Sequence, residues 1–115
     1  MKEKLVDYNT ALLAKEKGFE FPFEKFWGYY GYNEFGDKNP YDNKYSIAAP
    51  TQSLLQKWLR DVHSVHVNSY PIMNHWEVEI RVLHDELENT YNETEYKTYE
   101  QALEAGLLEA LKLLE

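Results

Sequence analysis

The chain has 115 residues, 43% hydrophobic and 28% charged, which fits one domain with an ordinary core and excludes a disordered polymer. Its formal charge is −8, from 20 acidic against 12 basic side chains, and no clustered basic face is visible, so nucleic acid is not an expected partner. There is no cysteine, which excludes a disulfide framework, a zinc finger and a thiol nucleophile.

The N-terminal stretch MKEKLVDYNTALLAKEKG scatters charges among its apolar residues; it is read as neither signal peptide nor membrane span, which predicts a cytoplasmic protein without membrane association. Leu5, Tyr8, Leu12 and Leu13 recur at helical spacing, Lys15 and Lys17 suit the negative end of the dipole, and Gly18 follows as a left-handed stop, so a first helix is predicted over 3–17. Phe19, Phe21 and Phe23 then alternate around Pro22, an apolar connector rather than a central strand. The segment FWGYYGYNEFGDKNPYDNKYSIAAP has two aromatic runs separated by Gly36, Asp37, Asn39, Pro40 and Asn43, the pattern of a β-hairpin with a long loop.

Residues 51–63 return to helical spacing, with Thr51 as N-cap and Leu54, Leu55, Trp58, Leu59 and Val62 on one stripe. Val65, Val67 and Ser69 alternate with His66, Asn68 and Tyr70 up to Pro71, which is expected to end that strand. A further strand is predicted over 76–84, with Trp76, Val78, Ile80 and Val82 on the core face and Glu77, Glu79 and Arg81 on the other. DELEN at 85–89 makes a polar turn, and TYNETEYK after it supplies an optional fifth strand. Thr98 caps a last helix whose stripe is Leu103, Leu107, Leu111 and Leu114, widened by Leu108 and Ala110. Gly106 within it costs about 1 kcal/mol relative to Ala, and reads as either a close approach to a neighbouring backbone or a tolerated defect. The order α-ββ-α-ββ(β)-α, with short connections, predicts an α+β two-layer sandwich: three helices on an antiparallel sheet of four to five strands, in one domain over 1–115.

The segments PTQSLLQKWLR and YEQALEAGLLEALKLL, with LAKEKGF near the start, resemble a family of small uncharacterised proteins of Bacteroides-type bacteria and their phages or prophages. The resemblance spans nearly the whole chain in the same order, with the middle matching in general pattern. It implies an origin and a small α+β domain, and transfers no catalytic residue.

Four histidines are the natural candidates for chemistry. In HSVH, His63 falls at a helix end and His66 on the strand face opposite Val65 and Val67, so the motif reads as a helix handing over to a strand. His75 and His84 bracket a strand and lie roughly 30 Å apart when extended, so at most one could join that pair; no metal site and no cofactor are expected. There is no GxSxG elbow, P-loop or HExxH helix, and no catalytic residue is assigned. Asn92-Glu93-Thr94 matches the glycosylation pattern but carries no chemistry without secretion. Glu77 and Glu79 share a face that is expected to be solvated and balanced by Arg81.

The compositional anomaly is aromatic, with ten tyrosines. Trp27 and Tyr29 share one face of the first hairpin strand and Tyr30 and Tyr32 the other, while the return strand puts Tyr45 and Ile47 on one face and Lys44 and Ser46 on the other. One aromatic face thus lies beside polar neighbours. Trp27, Tyr29, Tyr30 and Tyr32 are therefore the candidate binding residues, for an unidentified protein partner or self-association, since half-buried Tyr and Trp are enriched in contact patches. Capping the sheet edge or filling the core beneath the first helix is the competing role for these rings. The functional expectation is a non-enzymatic protein-interaction domain; the alternative is a small-molecule binder or small enzyme with a pocket between the hairpin and helix 51–63, using His63 or His66 as acid or base.

Overall fold

The computed structural model describes residues 4–19, 27–32, 45–82 and 90–114. Along the chain these form α1 (Tyr8–Glu16), β1 (Trp27–Tyr32), β2 (Tyr45–Pro50), α2 (Gln52–His63), β3 (Val65–Ile72), β4 (His75–Val82), β5 (Thr90–Tyr96) and α3 (Tyr99–Leu113). The class is α+β. The anticipated turn at 85–89, together with Phe21, Phe23 and His84, lies outside the described residues.

α1 starts later than its apolar spacing suggests. Leu5 is not helical but bridges Thr51 in antiparallel sense, with Val6 N–H donating to the Pro50 carbonyl and Gln52 N–H to the Lys4 carbonyl, both at 2.9 Å. A long-range backbone pairing thus takes the residues that local periodicity would give to a helix, and Asp7 becomes the N-cap. The buried face of α1 is Thr10, Ala11 and Ala14 rather than the Leu12 and Leu13 side. Small side chains let the helix lie close to its neighbours, β2 and α3. Gly18 closes the helix at φ +95°, as its position predicts.

The strands divide into two sheets rather than one: β1 pairs only with β2 among the described residues, and β3, β4 and β5 form a separate antiparallel sheet in that order. Alternation in β4 works as expected, with Val78 and Ile80 buried. Pro71 does not end β3, which runs on to Ile72 and pairs Pro71 with Trp76. Among the described residues β3 is an edge strand, where a proline can turn its missing donor outward. Val67 has the same parity as Pro71, so its carbonyl also faces that edge, where Gln56 Nε2 of α2 donates to it at 2.6 Å.

Thr51 Oγ1 accepts from Leu54 N–H and Thr98 Oγ1 from Gln101 N–H, so both sequence-predicted caps are present. The stripe of α2 is the expected one at Leu55 and Leu59, which are buried, and at Leu54 and Trp58, which pack against the core, but Val62 is 60% exposed and Gln52 is buried in addition. α2 then stops at Ser64, which takes the left-handed conformation (φ 57°, ψ 33°) and starts β3 one residue later. A non-glycine there costs about 1 kcal/mol. Ser64→Gly is therefore expected to raise stability by about 0.5 kcal/mol, the glycine's larger unfolded-state entropy offsetting part of the gain; urea unfolding measures it.

α3 forms the centre of the core, burying Ala102, Leu103, Gly106, Leu107, Ala110 and Leu111. It crosses the three-stranded sheet so closely at Gly106 that an added Cβ would stand 2.4 Å from Val78 Cγ2 and 2.8 Å from Val67 Cγ1. The glycine marks a close approach, made by valine side chains rather than by backbone.

Candidate functional site

The aromatic hairpin is placed by its register. Trp27 lies opposite Pro50, Tyr29 opposite Ala48, Tyr30 opposite Ile47 and Tyr32 opposite Tyr45. Ala49 and Pro50 are both buried at the end nearest α2. The ribbon is thus anchored at that end, where β2 also meets α1.

The histidines do not converge. His63 packs its ring edge-on against Trp58, with centroids 4.7 Å apart, and Trp58 in turn meets buried Phe19 at 5.2 Å. His66 faces Arg81 across β3 and β4. HSVH is a helix end, a left-handed serine and a strand start, as the sequence suggested. Among the described imidazoles, the one beside a carboxylate is His75: its Nε2 lies 2.7 Å from Glu77 Oε2, with Glu95 Oε1 3.7 Å from Nδ1. Residues two apart on a strand share a face, and that spacing was the signal available for this pair. Its face is not the open, solvated one expected, because the Glu77 and Glu79 side chains are only 14% and 18% exposed. Arg81 does approach Glu79, at 3.6 Å.

The best-built polar cluster was not foreseen. Glu104, 8% exposed in the apolar face of α3, accepts from Asp7 N–H at 3.0 Å, from the Thr10 hydroxyl at 2.5 Å and from Gln52 Nε2 at 3.0 Å. Gln52 also donates to the Glu100 carbonyl at 2.9 Å. One carboxylate therefore stands at the N-terminal turns of both α1 and α2, where the helix dipoles favour negative charge and unpaired N–H groups need acceptors. It does for α1, from another helix, what a local glutamate does in a capping box. A single carboxylate between Leu103 and Leu107 was the legible hint. Saturated by its donors, it is a structural fastening rather than a reactive group.

Among the described residues no group of three or more His, Asp or Glu side chains could hold a metal ion, and no helix is long and apolar enough to cross a membrane. No protein-family model, curated protein or solved structure matches the chain.

Proposed function

We propose that the chain is a small, cytoplasmic, non-enzymatic protein-interaction domain whose contact surface is the β1–β2 ribbon, with Trp27, Tyr29, Tyr30 and Tyr32 as contact residues. The observation that carries this reading is the separation of the ribbon from the β3–β4–β5 sheet. A two-stranded ribbon needs a covering surface in water; α1 meets this one along β2, and the sequence of β1 has aromatics at four of its six positions. Aromatic side chains give large contact area at low entropic cost. The partner is another protein or a second copy of the chain, and the charge of −8 argues against nucleic acid. An origin in Bacteroides-type bacteria or their phages is proposed on the resemblance of the segments PTQSLLQKWLR and YEQALEAGLLEALKLL.

The test compares wild type with Trp27→Ala/Tyr29→Ala and Tyr30→Ala/Tyr32→Ala by sedimentation and by affinity capture from bacterial lysate with mass spectrometry. Expected is self-association or a specific captured protein that at least one variant loses by tenfold or more, with unchanged far-UV circular dichroism. Unfolding of both variants would identify the rings as core, and equal capture by all three proteins would remove the contact from this ribbon.

A further inference from the structure

We propose that residues 4–17 form a detachable arm on the fold, latched through Glu104, whose release uncovers the backbone of Pro50 and Gln52 at the junction of β2 and α2. This inference stands independently of the interaction reading. The arm's fully buried side chains are mostly small, Val6, Thr10, Ala11 and Ala14, and its larger apolar side chains Leu5 and Leu13 are only partly buried against the core. The centre of the molecule is instead held by α3 packed on β3 and β4, through Leu103, Leu107 and Leu111 with Val67, Val78 and Ile80. Regions with few apolar contacts open at lower free energy than the core they sit on.

The arm's polar fastenings lie at its start, in the first turn of α1 and at its end. At its start, Val6 and Lys4 pair with Pro50 and Gln52 through the backbone, and Glu104 accepts from Asp7 N–H and the Thr10 hydroxyl. At its end, Lys17 Nζ donates to the Leu114 carbonyl at 2.6 Å. Glu104 is central because the same carboxylate also receives Gln52, the residue whose N–H the arm's Lys4 carbonyl accepts. Arm, α2 and α3 therefore meet at one side chain. Phe19, just beyond the arm, is buried against Trp58 and marks where detachment stops.

Native-state hydrogen exchange on the full chain at low urea tests this. In the wild type, the amides of Val6, Ala11 and Lys17, each bonded within or by the arm, are expected to share one opening with weak urea dependence, on the order of a hundredfold more frequent than the opening that exposes the amides of Leu107 and Leu111. Glu104→Ala is expected to speed arm exchange on the order of a hundredfold, and the milder Thr10→Val about tenfold. In Thr10→Val, exchange in α3 should accelerate by the same factor, because that bond is lost in both arm release and global unfolding; in Glu104→Ala it should accelerate further, because the Gln52 bond is kept on arm release and lost only on global unfolding. A single wild-type opening with one urea dependence for arm and α3 would overturn the proposal. So would faster α3 exchange in Thr10→Val with arm rates unchanged, since the carboxylate contacts would then survive release.

Discussion

Glu104→Ala is expected to lower the unfolding free energy by about 3–4 kcal/mol and the melting temperature by roughly 10–15 °C. The substitution removes the acceptor from Asp7 N–H, the Thr10 hydroxyl and Gln52 Nε2 together, and a buried donor without a partner costs about 1–3 kcal/mol. The smaller side chain leaves room for water to recover part of this, so the full sum is not reached. Glu104→Gln keeps the volume and one acceptor oxygen but turns a donor toward groups that themselves donate, and should lose about half as much. Urea unfolding of both variants measures the difference; a loss below about 1 kcal/mol for the alanine would mean that the cluster contributes little.

Gly106→Ala is expected to destabilise the fold by about 1–2 kcal/mol, against the direction of helix propensity. Alanine gains about 1 kcal/mol in a helix interior, but its methyl would stand 2.4 Å from Val78 Cγ2 and 2.8 Å from Val67 Cγ1, where carbon atoms prefer about 3.5–4.0 Å. Valine is stiff at χ1, and β4 is the central strand of its sheet, so neither neighbour yields without moving backbone, and overpacking costs about 1–3 kcal/mol. The double variant carries the sharper test. In a Val78→Ala background the shorter contact disappears while that to Val67 Cγ1 at 2.8 Å stays, so Gly106→Ala should cost less there, with a coupling of about 1 kcal/mol in the cycle, and should become neutral or stabilising once Val67→Ala is added. Equal effects in both backgrounds would place the clash elsewhere.

What was legible in the sequence was local. Thr51 and Thr98 act as caps because a hydroxyl before a helix accepts the nearest free N–H whatever the tertiary context. The handover at HSVH and the alternation in β4 likewise need only neighbours in sequence. Tertiary geometry overrode the local pattern where distant segments competed for the same residues. Leu5 fits a helical stripe, but Thr51 claims its backbone. Val62 fits the stripe of α2, yet the helix turns Gln52 inward to reach Glu104, and Val62 is left 60% exposed. Pro71 is a strand terminator only in a strand with neighbours on both sides, and sequence does not say which strand is the edge. For the candidate site, alternation established which aromatics of β1 share a face, while the register that sets Ile47 beside Tyr30 depends on the pairing of β1 with β2.

The outer margin of β3 bears on how copies of this protein behave when concentrated. An unpaired strand margin is a template on which another chain can add, and runaway addition of that kind builds fibres. Here an incoming strand would meet Pro71, which offers no N–H, and the carbonyl of Val67, already occupied by Gln56. Two of the groups it would need are withdrawn within five residues of one another, too close for a continuous ladder to form across them. Polymerisation through β3 is thereby disfavoured without a charged gatekeeper on that margin, by a ring and an amide alone.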